Sequence, residues 1–205
     1  MRNYILLILF ILTGCGDSTS IFPIKDHKEL KNIMVHNFKD NGKEFQSLAT
    51  QLSNFKILRA INFQSGINGN GGIEVYFDSL ERNSNGKTYI IQDLTDSNFL
   101  LDLQKEGISL SRIKNIKSRL NQLGCNSFFT FSTINPETGT SYIHTELRFT
   151  TWNGINFYYY KLFDKPLEPS MVEFFKTNMV NINEGEWQNK GGILDSNAIW
   201  YYKND

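Results

Sequence analysis

Apolar residues recur at helical spacing in the first third of the chain and predict two helices. The start signals are Asp26 with Glu29 for the first helix and Asn41 with Glu44 for the second, because a capping side chain followed by an acid three residues later satisfies the first backbone N–H groups. The buried stripes are Leu30, Ile33 and Met34, and then Phe45, Leu48, Leu52 and Phe55.

Alternating and β-branched runs separated by turn residues predict strands in the rest of the chain. Asn85-Gly86 and Asn153-Gly154 are typical of tight hairpin turns. A helix is predicted between Ser109 as its cap and Gly124 as its terminator, and another opens at Pro169. The predicted strands are 57–63, 73–80, 87–92, 126–134, 141–151 and 155–163, with a closing strand or hairpin over Trp187 and 199–202.

The two halves of this pattern resemble each other. A shift of 68 positions moves the second helical stripe onto Ile113, Ile116, Leu120 and Leu123. The same shift moves Phe63 onto Phe131 and the Asn85-Gly86 turn onto Asn153-Gly154. We therefore expect an α+β fold, an antiparallel sheet with its helices on one face, built from an αβββ duplication over about 41–92 and 109–163. Two unrelated helix-plus-meander units are the alternative.

Composition narrows the functional classes. Basic and acidic residues balance at 21 each, which gives no electrostatic argument for nucleic-acid binding. The histidines His27, His36 and His144 lie at no metal-ligand spacing, and no cofactor motif is present, so we expect neither a metal nor a cofactor. Cys125 opens an apolar strand and is expected to be buried.

The first residues have the order of an export signal. A charged start at Met1–Asn3 precedes an apolar run over 4–12, which is too short to span a bilayer. The run ends in Leu12-Thr13-Gly14-Cys15, and this stretch resembles the lipobox of bacterial lipoproteins. The resemblance implies that 1–14 is a signal peptide that is removed and that Cys15 carries the lipid. Residues 15–25 would then be a lipidated tether and 26–205 a single domain. An ordinary secretory signal is the alternative.

The same resemblance implies a location in the cell envelope. In enteric bacteria an Asp directly after the lipidated Cys favours the inner membrane, but here Gly16 intervenes before Asp17. We therefore expect outer-membrane attachment, with the domain facing the periplasm or the surface. The helix after Ser109 carries Arg112, Lys114, Lys117 and Arg119 without an acid, which predicts either a solvated basic side or a contact with anionic headgroups.

The last hairpin gives the most specific prediction of a site. A two-residue turn at Asn153-Gly154 places Trp152 opposite Ile155 and sets the register of the whole hairpin. Glu146 then faces Lys161, and this opposite-charge pair supports the register. Aromatic rings and charges collect on one side, as is typical of binding surfaces. The candidate binding residues are His144, Glu146, Arg148, Trp152, Phe157, Tyr159 and Lys161. An outer sheet face partly covered by a neighbouring element is the alternative.

These patterns favour a non-enzymatic binding module, held to the membrane by the lipid on Cys15 and bound to a protein partner. A toxin-neutralising immunity lipoprotein is one form of it. An envelope enzyme with His144 and Glu146 as acid and base is an alternative, and an assembly factor is another. An enzyme predicts a deep pocket at His144 with a polarised imidazole, whereas a binding module predicts a broad, shallow, aromatic surface.

Overall fold

The computed structural model describes residues 27–65, 72–78, 86–149, 156–178 and 191–204. Residues 1–26, with Cys15, lie outside these ranges, as do Asn153-Gly154 and Trp187. The described helices are α1 (His27–Ser53), α2 (Ser97–Lys105), α3 (Leu110–Gln122) and α4 (Pro169–Asn178). The described strands are β1 (Leu58–Ser65), β2 (Gly72–Phe77), β3 (Lys87–Ile91), β4 (Cys125–Ile134), β5 (Ser141–Phe149), β6 (Asn156–Phe163), β7 (Gly191–Asp195) and β8 (Ala198–Asn204).

The strands form one antiparallel sheet in the order β3-β2-β1-β4-β5-β6-β8-β7. Strands β1 to β3 form one meander and strands β4 to β6 form a second. The two meanders meet where β1 pairs with β4. The predicted α+β class with an antiparallel sheet is confirmed.

Three helices cover one face of this sheet. The stripes of α1 and α3 and the side chains of Phe99 and Leu103 on α2 join the main core with inward residues of the strands, including Ile61, Phe128 and Leu147. Burial of these apolar side chains is the main stabilising contribution to the fold. Cys125 is buried in the same core, as expected, and burial raises the pKa of its thiol.

The fourth helix covers the opposite face, which we call the outer face. Met171 and Phe175 of α4 pack on Phe163 and Ile199 in a separate apolar cluster. The expectation that all helices share one face is therefore wrong. The reason is that β5, β6 and β8 carry apolar side chains on both faces, so both faces of this part of the sheet require cover.

The expected break between two N-terminal helices is also absent, because α1 continues through Gly42. Met34, Phe38 and Phe45 lie on one continuous buried side of the helix. Asn41 does not cap a new helix. Its side-chain amide instead donates to the backbone carbonyl of Asn37, at 3.2 Å. Packing of the continuous stripe outweighs the local start signal.

Gly42 provides a test of this continuity. A Cβ at Gly42 would meet the Phe38 ring at an ordinary 3.6 Å, so Gly42→Ala is expected to raise the free energy of unfolding by about 0.5–1 kcal/mol. Gly107 has φ +67° and nothing within 4 Å of its Cβ position, so Gly107→Ala is expected to lower it by about 1 kcal/mol. Urea unfolding measures both values. A loss of stability in Gly42→Ala would contradict a continuous α1.

The pairing of β2 with β3 shows that one predicted hairpin turn is wrong, and with it the repeat at a constant shift of 68 positions. Phe77 pairs with Lys87, so residues 78–86 connect β2 to β3 and Asn85-Gly86 is not a two-residue turn. Gly86 is favoured for another reason. A larger residue would clash with Tyr76, because a Cβ at this position would lie 2.6 Å from Cε2 of that ring. The shift of 68 positions also fails for one strand position, since Phe63 joins the core whereas Phe131 is 42% exposed.

Candidate functional site

The predicted register of the last hairpin is confirmed over its described residues. Glu146 pairs with Lys161 and Arg148 pairs with Tyr159. His144 pairs with Phe163. Because side chains alternate along a strand, the polar members of this set share the outer face while Leu147 enters the main core.

The structure divides the predicted binding residues into a covered group and an accessible group. His144 and Lys161 are buried, at 4% and 8% exposure, in the part of the outer face that lies under α4. Arg148 and Tyr159 are half-buried farther along the strands. Trp152 and the side chain of Phe157 lie outside the described residues. The alternative of an outer face partly covered by a neighbouring element therefore holds for the covered group.

The covered residues form a buried polar cluster around one carboxylate, which we call the Glu146 cluster. Lys161 Nζ lies 3.0 Å from Glu146 Oε1, and His144 Nε2 lies 3.4 Å from the same oxygen. The Tyr201 hydroxyl on β8 donates a further hydrogen bond to Glu146. Donors from three residues on three strands therefore meet at Glu146.

Aromatic rings complete the surroundings of Lys161. Its ammonium lies 5.1 Å from the ring centre of Phe175 on α4 and 5.9 Å from those of Phe163 and Tyr201. Cation–π attraction is strongest where water is excluded, as it is here. The Lys161 charge is therefore balanced by a carboxylate and by aromatic rings. The sequence predicted an accessible surface for this side chain, but it is buried.

The cluster fixes the charge states of its members. Burial alone would raise the pKa of Glu146, but the hydrogen bond from His144, the charge of Lys161 and the hydrogen bond from Tyr201 outweigh it and lower this pKa to about 2. Burial lowers the pKa of His144, and the hydrogen bond to Glu146 only partly opposes this effect. At neutral pH the cluster therefore holds an ionised Glu146 and a neutral His144 imidazole.

The neutral imidazole has a defined tautomer. Since Nε2 faces Glu146 Oε1, the geometry assigns the proton to Nε2 and leaves a lone pair on Nδ1. Nδ1 is buried and has no hydrogen-bond partner. An imidazole held by a carboxylate with its other nitrogen unprotonated is a competent proton acceptor, but a buried nitrogen must become accessible before it can act on a substrate.

The accessible group contains residues that the sequence reasoning missed. Phe129 and Phe131 on β4 have nearly parallel rings with centres 6.4 Å apart, and Phe131 is the more exposed. Tyr159 stacks on Tyr201 at 5.0 Å. Alternation along the predicted strand 126–134 places both phenylalanines on the same face of that strand, but only the pairing of β4 with β5 brings Phe129 beside Glu146 and Phe131 beside His144.

Arg148 is held in place between neighbouring strands. Its Nε donates to Asn126 Oδ1 at 2.9 Å and its Nη2 donates to Asn62 Oδ1 at 2.6 Å. Two neutral amide oxygens therefore orient the guanidinium on the outer face. An oriented arginine with a half-buried aromatic ring, Tyr159, as its cross-strand neighbour and the exposed Phe131 on the same face is typical of a protein-binding surface.

Two clefts that are lined by described residues lie along α1, on the other side of the sheet. The larger, of about 1150 Å³, runs between α1 and Ile193 to Asp195 of β7, and the smaller is lined by residues 32–41 of α1. Neither cleft includes His144. In the described parts of the chain, no three His, Cys, Asp or Glu side chains are placed to hold a metal ion. No described helix has the length and apolar character needed to cross a membrane.

Comparison with known proteins gives no relative. No family model, no curated protein and no solved structure matches this chain.

Proposed function

We propose that this protein is a lipid-anchored component of the bacterial cell envelope, without enzymatic activity, that binds a protein partner with the accessible part of its outer face. The observation that carries the binding role is the exposed Phe131 ring, paired with that of Phe129, on the same sheet face as the oriented Arg148 guanidinium. A broad surface of aromatic rings with one fixed cation favours recognition of a protein over a small molecule.

The anchor depends on the Leu12-Thr13-Gly14-Cys15 motif. Expression in a bacterium with labelled palmitate is expected to label the full chain and to leave Cys15→Ala unlabelled. Attachment through more than one acyl chain would make the membrane binding durable. Equal labelling of both proteins would contradict the anchor, and an unmodified amino terminus upstream of Cys15 in the native protein would do the same.

The binding face is tested by photo-crosslinking in cells. A photo-reactive amino acid at Phe131 is expected to give a discrete adduct with one protein. Ile134 is the matched control, because it lies on the same strand, is 49% exposed, and by alternation points away from the outer face. The same adduct from both positions, or none from position 131, would contradict the proposed face.

A toxin-neutralising immunity lipoprotein is one form of this proposal, and in that case the adduct would contain a secreted toxin. The enzyme alternative has one observation in its favour, the unpartnered Nδ1 of His144 beside Glu146. Turnover in a broad hydrolase screen that is lost in His144→Gln would favour it. We rank it second because His144 is buried.

We also propose that the two meanders arose by duplication, with a gap between helix and strand. Three features support this proposal. The strand order is symmetrical about the β1–β4 pair. A register shift lies between Leu58 and Ala60 in the first meander and between Cys125 and Ser127 in the second. The connection from Leu123 to Cys125 is one residue shorter than that from Phe55 to Leu58, which returns Leu58 and Cys125 to the same core face. An experimental structure in which the two bulges do not superpose would contradict the duplication.

A further inference from the structure

One ridge of α1 presents positive charge to solvent. Lys31, Val35, Lys39 and Lys43 follow one another at intervals of four residues, so their side chains are neighbours along the helix. The ridge is about 18 Å long, from the rise per residue of an α-helix. Val35, Lys39 and Lys43 are exposed, whereas Met34 and Phe38 on the other side of the helix enter the core.

The charges of this lysine ridge are not neutralised by the acids of the same helix. Glu44 pairs with Arg119 of α3 at 2.5 Å, and Asp40, whose carboxylate lies 3.2 Å from Nε2 of His36, is one acid beside three lysines. Within the described residues, neither Lys39 nor Lys43 has an ion-pair partner. The ridge therefore carries a net positive charge that a negatively charged surface would complement.

The basic side of α3, which the sequence also offered for headgroups, is largely occupied within the fold. Arg119 makes the ion pair with Glu44. The Arg112 guanidinium lies 4.9 Å from the centre of the Phe55 ring, and the Lys117 ammonium lies 5.6 Å from that of Phe63. Cationic groups that already pack on the protein contribute less to an external contact, so α1 is the better candidate.

Apolar side chains border the lysine ridge. Val35 is 40% exposed, and Leu194 of β7, which lines the larger cleft with it, is half-buried against the main core. Lysines with long apolar stems beside partly exposed aliphatic side chains fit the boundary between headgroups and acyl chains. Position supports the same partner, because α1 begins directly after the tether 15–25 and the anchor would hold it at high local concentration near the bilayer.

We propose that the lysine ridge docks on the anionic headgroups of the membrane that holds the lipid anchor. This inference rests on the proposed anchoring. Since α1 lies in the helix layer, docking through its solvent side directs the outer face, with Phe131, away from the membrane and toward a partner. The contact thus sets the orientation of the domain, which a flexible tether alone does not set.

The test uses the full lipidated chain in vesicles and reads docking separately from anchoring. An environment-sensitive fluorophore is attached to Asn32→Cys, an exposed position next to Lys31, because Cys125 is buried and does not compete for the label. Vesicles of phosphatidylcholine alone are compared with vesicles of phosphatidylcholine and phosphatidylglycerol in equal parts, at low and at high salt. Flotation measures anchoring, and the emission shift measures docking.

Flotation is expected with both kinds of vesicle, and a blue shift only with the anionic ones and only at low salt. Lys39→Ala with Lys43→Ala is expected to weaken docking about 25-fold, at about five-fold for each lysine at an anionic surface. Lys56→Ala with Lys114→Ala removes the same charge elsewhere and should retain the shift. Flotation without a shift, or equal loss in both double variants, overturns the docking alone. Failure to float with either kind of vesicle overturns the anchor and the docking together.

Discussion

Glu146→Ala is expected to lower the free energy of unfolding by about 3–5 kcal/mol, the usual cost of removing one partner of a buried ion pair. The side chains of Glu146 and Lys161 are only 13% and 10% exposed. Without Glu146, the Lys161 ammonium stays under α4 with no carboxylate to balance it. The hydroxyl of Tyr201 and Nε2–H of His144 also lose their acceptor, and unsatisfied buried donors are costly.

The size of this effect is read by urea unfolding at neutral pH, with a matched carboxylate as control. Glu74 is exposed on β2 of the same sheet, so Glu74→Ala is expected to change stability by less than about 0.5 kcal/mol. Replacing both partners, Glu146→Leu with Lys161→Met, should recover most of the loss, since a well-packed apolar pair removes the uncompensated charge. If Glu146→Ala costs no more than Glu74→Ala, the ion pair is not the buried contact described above.

Local pattern predicted what local physics determines. The register of the β5–β6 hairpin was predicted from the Asn153-Gly154 dipeptide and from one opposite-charge pair, Glu146 with Lys161, and both signals are local in sequence. The strand starts and the extent of α3 follow from alternation and from Ser109, whose hydroxyl accepts from the Arg112 N–H. The α2 helix was missed although Asp96 gave a signal, since its carboxylate caps the N–H groups of Asn98 and Phe99.

Long-range packing determined what the sequence did not reveal. The helical stripe of α1 runs unbroken past Gly42, and its residues on both sides of Gly42 pack into one core with the strands. Asn85-Gly86 has the composition of a tight turn, but the pairing of Phe77 with Lys87 sets a longer connection. Buried Arg59 is another example. It donates to the carbonyls of Phe55 and Asp78, and no periodicity predicts such a contact.

For the same reason, the sequence predicted which residues of the candidate site share a face but not which of them are buried. Glu146, His144 and Lys161 share a face by alternation, and the sequence placed them together correctly. Their burial depends on α4, whose Phe175 reaches Lys161, and on Tyr201, which arrives from β8. No pattern within 141–163 contains that information, so residues that read as a binding surface form a closed cluster. The accessible part of the outer face lies instead at Phe129, Phe131 and Arg148, which α4 does not cover.

Acid is expected to destabilise the fold in two stages, through the two titrating members of the Glu146 cluster. The pKa of His144 is lowered by burial from its ordinary 6.5, so below that pH the unfolded chain binds a proton that the folded chain does not. The pKa of Glu146 is lowered from 4.5 to about 2, so the unfolded chain again takes up the proton first. Both shifts stabilise the fold above the ordinary values, and both contributions are lost as the pH falls.

The two stages are separated by variants. In wild type, the urea midpoint is expected to begin falling below pH 6.5 and to fall more steeply below pH 4.5. By a pH of about 2, loss of the Glu146 contribution lowers the free energy of unfolding by on the order of 3 kcal/mol. His144→Phe should remove the first stage, whereas His36→Phe, at an exposed position on α1, should keep it. Protonation of a folded His144 would place a second N–H at the unpartnered Nδ1 and next to Lys161. An NMR titration in which the imidazole of folded His144 protonates at 6.5 or above would contradict the burial and the tautomer assigned to it.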